Sequence, residues 1–233
     1  ISGTNVLEKK VLKNPRSTNE TIETIIELIS SYKSFSKICI ATAGFEKNNL
    51  IQCSNNTSLN NIPLKKILQQ KFRVPIVIQN DARCATLCEL KFGAGKNLSN
   101  FVLLTLGTGI GGGIVIDKKL RLGKGIAGEV GQMFIEKSKT FEDLASGSAF
   151  QKIKNKSLTH RKIGTALGIG LANIAFILSP DAFIFGGGFS NVKEIFPPAE
   201  KTLKEFYPFE KIKFIKAKFG DDAGLIGASL LKN

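Results

Sequence analysis

The sequence is poor in the groups that build metal centres. Its single histidine, His160, stands in KSLTHRK, and its four cysteines are Cys39, Cys53, Cys84 and Cys88. They form no Cys-x-x-Cys pair and have no second cluster of ligands beside them, so a metal site is not expected from them, and reduced cytosolic thiols are. Long hydrophobic runs are missing too: no apolar stretch reaches the roughly 18 residues of a membrane span. The opening ISGTNVLEKK turns polar at once, unlike a signal peptide. Acidic residues are scarce, 19 against 33 Lys and Arg, which leaves a formal net charge of +14. Such an excess can attract nucleic acid, a membrane surface or small anions. The lysines are scattered, however, as in KNKSLTHRK and KIKFIKAK. No basic arm is interleaved with aromatics and no zinc-finger spacing occurs. The expectation is a cytoplasmic protein with a generally basic surface and neither nucleic acid nor membrane as partner.

What is present is an alternation of strands and helices. NETIETIIELISSY places Ile22, Ile25, Ile26 and Ile29 at helical spacing. KICIATAG reads as a strand ending at Gly44, and IPLKKILQQKF as a short helix with Pro63 in its first turn. VPIVIQNDA is a buried strand stopping at Gln79-Asn80-Asp81, followed by the helix ARCATLCELKFGAG. FVLLTLG, a glycine turn and GIVIDKKL read as strand, turn, strand. SAFQKI starts a helix, and IGTALGIGLANIAFILSP is a long apolar helix ending before Pro180. DAFIFGGGFS is a strand running into a second glycine cluster. VKEIFPPAEKTLKEFY is helical with a Pro-Pro break, IKFIKAKF is a strand and DDAGLIGASLLK a closing helix. The pattern predicts an α/β protein with largely parallel sheets and a ligand at the sheet edges.

The stretch LLTLGTGIGGGIVI holds five glycines between Gly107 and Gly113. Gly107, Gly109 and Gly112 satisfy Gly-x-Gly-x-x-Gly, but a β-branched strand follows where the dinucleotide-binding motif needs a helix, and no Lys-Ser/Thr closes a P-loop. A β-turn-β with exposed amides remains, in which glycines let N–H groups converge on an anion and Thr108 adds a hydroxyl. A plain hairpin is the alternative, although a two-residue turn uses only one or two glycines. Asp81, just beyond a buried strand, suits a general base toward a bound hydroxyl and equally a cap for the following helix. Glu129 and Glu142 are carboxylates among small residues, placed either to meet a polar ligand or simply on a solvated loop.

These pieces come in a recognisable order. QNDA, LTLGTGIGGGIV, GIAGEVGQ, EDLASG, SPDAFIFGGGFSN and DDAGLIGAS together resemble the ROK family of sugar kinases and repressors. ISGT resembles that family's first phosphate motif, and ATAGF and NTSLNNIPL fit its sugar-side loops. The resemblance implies a two-lobed actin-like (ribonuclease H-like) ATPase fold of the hexokinase type, with a smaller lobe over 1–97 plus 221–233 and a larger one over 98–220. It implies a hexose, glucose first, phosphorylated at its 6-hydroxyl by ATP with Mg²⁺, and Asp81 as general base. Gly44, Asn56 (with Asn55 as its rival in the alignment), Asn80, Glu129, Gln132 and Glu142 would face the sugar. Gly3, Thr4, Thr108 and Gly109 would face phosphates, and Gly187 and Gly188 the adenosine. A homodimer is implied as well. N-acetylmannosamine or another N-acetylhexosamine is the alternative substrate, and a non-catalytic sugar-binding ROK protein the alternative of another class. Family repressors carry an N-terminal helix-turn-helix, whereas here the phosphate motif comes first, which disfavours a repressor.

The sequence also departs from that pattern. Gln132 stands where the family usually has a sugar-contacting, often zinc-ligating His. MFIEKSKTF, which separates it from Glu142, contains no Cys where the family has a zinc loop. Zinc is therefore not supported by these residues. ISGTN passes directly into VLEKK, where the family inserts a strand and hairpin, and the family's leading Asp is absent. SAFQKIKNKSLTHRKIG is also short. Further residues are expected to belong at Asn5–Val6, near Lys139–Thr140 and near Lys156–Ser157, which would leave room for a zinc loop. An intact mass of 25.3 kDa would overturn that expectation.

Overall fold

The computed structural model describes residues 1–47, 50–52, 58–153 and 156–232. In chain order the elements are α1 (Thr18–Ser30), β1 (Ile38–Thr42), β2 (Phe45–Lys47), β3 (Leu50–Gln52), α2 (Leu64–Lys71), β4 (Ile76–Asn80) and α3 (Asp81–Phe92). Then come β5 (Phe101–Leu106), β6 (Ile110–Ile116), β7 (Lys119–Arg121), β8 (Phe134–Glu136), β9 (Lys139–Thr140), α4 (Phe141–Ala145), α5 (Gly147–Lys152) and α6 (Lys156–Leu178). The last four are β10 (Ala182–Gly186), α7 (Phe196–Phe206), β11 (Lys213–Lys216) and α8 (Ala223–Ser229). The chain forms two compact units, Ile1–Cys88 with Asp222–Asn233, and Glu89–Asp221.

In the first unit β1 and β4 pair in parallel, with Ile38 opposite Ile76 and Thr42 opposite Asn80. Ser17 caps α1 by accepting the amide of Glu20, and the isoleucine stripe of that helix packs on Ile38, Ile51, Leu64, Leu68, Ile76 and Ile78. These four isoleucines are partly buried, so each contributes a fraction of the about 1.5–3 kcal/mol that a fully buried aliphatic side chain supplies. Helix α8 closes the unit; a side chain at Gly227 would lie 1.6 Å from the Cys84 carbonyl oxygen, so only glycine fits there. Residues 6–15 carry no strand, and this sheet has two strands among the described residues.

The second unit is built on a five-stranded sheet in the order β11-β10-β5-β6-β7. β11, β10 and β5 are parallel to one another, and β6 and β7 run antiparallel. Both faces of β5 and β10 are covered, which is why FVLLTL and AFIFG read as continuous apolar runs. Helix α6 is the unit's central helix. Its segment Thr159–Leu178 is apolar and long enough to cross a membrane by composition, but Ile163, Leu167, Leu171, Ile174 and Ala175 lie in the core of this unit.

Two local expectations are corrected. The Pro-Pro pair does not break a helix: Pro197 and Pro198 occupy the first turn of α7, where a missing N–H is tolerated. The glycine-rich stretch is not all turn either. Gly111, Gly112 and Gly113 lie within β6, paired with Thr105, Leu104 and Leu103, so the turn itself is Gly107-Thr108-Gly109.

Glu89 lies where α3 passes from the first unit into the second and is fully buried. Its carboxylate accepts three backbone amides: Ala94 at 2.7 Å, Lys218 at 2.7 Å and Phe219 at 2.9 Å. Gly93 has no side chain because its Cβ would fall 2.0 Å from the same carboxylate.

Candidate active site

Asn80 ends β4 and Asp81 begins α3, so the strand delivers both to one edge of the first unit. The capping role falls to Asn80. Its Oδ1 accepts the Arg83 amide at 3.1 Å, and its Nδ2 donates to the Gly44 carbonyl at 2.9 Å. Gly44 needs its glycine because its φ is +83°. Asp81 is exposed, and its Oδ1 accepts the Ala82 amide at 2.7 Å. The protein packed behind the carboxyl desolvates it and raises its pKa above the ordinary value, against the lowering effect of the Ala82 amide. One turn along the helix, burial, aided by the Asp81 and Cys39 charges and opposed by Arg83, pushes the Cys84 thiol up to about 12. That thiol is thereby kept protonated and inert at neutral pH.

In the second unit the Gly107-Thr108-Gly109 turn is held by its carbonyls. Gly107 O accepts from Gly147 N at 2.8 Å, Thr108 O from Ser148 N at 3.3 Å, and Gly109 O from Gly107 N at 3.0 Å. Among the described residues no acceptor is found for the amides of Thr108 and Gly109, which the turn leaves available to an anion. The glycines serve differently from expectation. Neither Gly107 nor Gly109 has positive φ, so the turn is no left-handed nest. Gly109 is there for space, since its Cβ would sit 2.6 Å from Glu142 Oε2, and Gly112 likewise packs 2.6 Å from Gly128 O.

Glu142 sits beside this turn. Its Oε2 accepts the Ile110 amide at 3.2 Å, and its Oε1 accepts Gln132 Nε2 at 2.8 Å. A carboxylate only accepts, which fixes the Gln132 amide orientation. Glu129, half-buried, precedes the short helical turn Val130–Gln132, and its carbonyl accepts the Gln132 amide. Gly187, with φ +80°, packs against the end of β5; its Cβ would lie 2.4 Å from Leu106 O. Gly188 faces open space. Thus Thr108, Gly109, Gln132, Glu142, Gly187 and Gly188 gather around the carboxyl end of the parallel strands, while Gly44, Asn80 and Asp81 gather in the first unit.

Gly3 and Thr4 form a separate exposed turn closed by the pair Ser2 and Asn5, with Gly3 at φ +61°. Asn56 and its rival Asn55 lie outside the described residues. Gly147 and Ser148, which hold the glycine turn in place, escaped sequence reading although they follow directly on EDLAS. Ser148 acts through its backbone amide, which leaves no signature in residue type, whereas Gly147 also needs to be small, since its Cβ would lie 2.6 Å from Gly107 O. Among the described residues no group of three or more His, Cys, Asp or Glu side chains is placed to hold a metal ion.

A sheet with three parallel strands and an antiparallel hairpin at one end, joined to a smaller α/β unit, defines the two-lobed actin-like, ribonuclease H-like class. The crystal structure of a ROK family glucokinase from Streptomyces griseus in complex with glucose and AMPPNP has this fold. It matches with a TM-score of 0.85 at 24% identity, over 98% of this chain and 92% of that one. The chain belongs to the ROK family, whose model matches residues 2–233. An uncharacterized protein of Clostridium perfringens is 31% identical over 261 positions, covering 97% of this chain and 88% of its own length. That alignment is longer than the 233 residues of the chain, so the relative has residues this chain lacks. The glucokinase of Streptomyces coelicolor is 27% identical, covering 97% of this chain and 90% of its own length. An N-acetylmannosamine kinase of Haemophilus influenzae is 28% identical over 87% of this chain and 79% of its own.

Proposed function

We propose that the protein is an ATP-dependent sugar kinase that phosphorylates a hexose, glucose first, at its 6-hydroxyl. The observation that carries this reading is the division of labour at the head of α3. Asn80 does the capping, and the adjacent Asp81 keeps a solvent-accessible carboxylate whose raised pKa suits proton abstraction. Asp81 would accept the proton of the sugar hydroxyl as its oxygen attacks the terminal phosphorus. Asn80, through its bond to Gly44 O, would hold the sugar-side loop against that carboxylate. Thr108 and Gly109 would donate their amides to the phosphates, with Gly187 and Gly188 leaving room for the adenosine. Mg²⁺ would offset the triphosphate charge, since phosphoryl transfer asks the protein mainly for positioning and electrostatic stabilisation. Gly3 and Thr4 would add phosphate contacts, and Glu129, Gln132 and Glu142 would meet sugar hydroxyls. A cytoplasmic homodimer completes the proposal.

A second reading, an N-acetylmannosamine or other N-acetylhexosamine kinase, draws support from the absence of cysteines between Gln132 and Glu142 and from the Haemophilus influenzae relative. The test is a screen of glucose, N-acetylglucosamine, N-acetylmannosamine, mannose and fructose with Mg-ATP, followed by ADP release. Turnover on at least one sugar is expected, with a loss of about 10²–10⁴-fold in Asp81→Asn, the range of a general base. Full activity in that variant would remove Asp81 from the mechanism. Sugar binding without turnover on any of the five would favour a non-catalytic ROK protein.

A further inference from the structure

Three of the four atoms that define the glycine turn's outline are fixed by neighbouring backbone: the carbonyls of Gly107, Thr108 and Gly109 each accept an amide. The fourth is the Ile110 amide at the start of β6, and a side chain, Glu142, takes it. The same carboxylate occupies the space a Gly109 side chain would fill, at 2.6 Å, and is gripped from the opposite side by Gln132. With Ile110 N–H committed, Thr108 and Gly109 N–H are the amides left to an incoming anion. Glu142 therefore decides which donors a phosphate meets.

We propose that Glu142 is a positioning residue for the phosphate-facing turn, linking it through one carboxylate to Gln132 on the sugar side. The proposal deepens the kinase reading above and rests on it. Two parts of the geometry carry it. The Ile110 bond needs an acceptor oxygen and not a charge. The Gly109 contact needs a side chain of this length, because alanine leaves the space empty and the Ile110 amide unclaimed. A negative charge beside bound phosphates is unfavourable in itself. Loss of charge and loss of the acceptor should therefore act in opposite directions on nucleotide affinity.

The experiment is calorimetric titration of the intact protein with Mg-ATP and, separately, with the preferred sugar of the screen. Glu142→Ala is expected to weaken Mg-ATP by about tenfold or more, because the turn that presents the Thr108 and Gly109 amides then loses the bond that orders it. Glu142→Gln keeps an oxygen for Ile110 N–H and is expected to stay within about threefold of the parent. Gly109→Ala, pressing on the carboxylate from the other side, should weaken Mg-ATP as well. The double variant Gly109→Ala/Glu142→Ala should be no worse than the weaker single, because both act through one contact. Unchanged Mg-ATP affinity in Glu142→Ala, with only sugar affinity lost, overturns the proposal and leaves Glu142 a sugar ligand. If Glu142→Ala does not fold, Glu142→Asp decides, because the shorter side chain keeps the charge but draws the acceptor back from Ile110 N–H: unchanged Mg-ATP affinity there overturns it equally. A parent protein that binds no nucleotide overturns the kinase reading and this proposal together. Nucleotide binding that depends on Glu142, without turnover on any sugar, upholds the proposal while the kinase reading falls.

Discussion

As the proposed base, Asp81 would tie reactivity to pH. Its carboxyl is desolvated, so its pKa in the folded protein lies above the ordinary carboxylate value. As a base it works only when ionised. The kcat/KM profile is expected to fall on the acid side with a midpoint above about 4, the unperturbed value, and a pH-rate measurement checks it. The stability sign is opposite to that of an ion-paired aspartate. A raised folded pKa means the group favours the fold most below its unfolded pKa, and that contribution is lost as pH rises through the folded pKa. Asp81→Asn should therefore abolish turnover without lowering the melting temperature at pH 7, and a clear drop in Tm would contradict it. At this scale the sequence was only half legible. QNDA left Asp81 open as a base or as the helix cap, and did not show that Asn80 does the capping. The answer depended on Asn80 reaching Gly44, 36 positions away. The link from Glu142 to Ile110, 32 positions apart, was invisible for the same reason.

Among the elements, the α6–α7 contact leaves no room for added side chains. A side chain at Gly164 would lie 2.4 Å from Ile195 O, and one at Gly168 would lie 2.6 Å from Ala199 O. Backbone atoms cannot yield as a flexible side chain would. Alanine gains about 1 kcal/mol in helix propensity over glycine, whereas overpacking a filled core typically loses about 1–3 kcal/mol. The clash outweighs the propensity, so Gly168→Ala is expected to lower Tm, and thermal melting of the purified variant decides the sign. The long elements were legible because their apolar periodicity spans several turns or a whole buried strand. β2, β3, β8 and β9 have two or three residues each, too few to show a period. The Pro-Pro pair misled because proline ends a helix interior but also opens a helix, and only the surrounding geometry tells the two apart.

At the scale of the whole molecule, net charge and fold make separate statements. The family was legible in ordered motifs, the sheet order was not, and the +14 balance followed from composition alone. A basic surface attracts nucleotide triphosphates more than neutral sugars, and salt screens it over about 10 Å at 0.1 M. Raising the ionic strength is therefore expected to increase the KM for Mg-ATP while leaving the KM for sugar nearly unchanged. Parallel steady-state titrations at low and high salt check this, and equal responses would refute a long-range electrostatic contribution.

The buried carboxylate of Glu89 has a consequence for how the gene can drift. It holds the region of the chain's first passage between units, at residue 89, to residues 218 and 219 shortly before the second passage, at 221–222. All three of its partners are main-chain amides, which every residue except proline supplies. Positions 94, 218 and 219 are thus free to vary in side chain so far as this bond is concerned, with proline alone forbidden. The same tolerance does not extend to position 89, where one oxygen pair serves three donors.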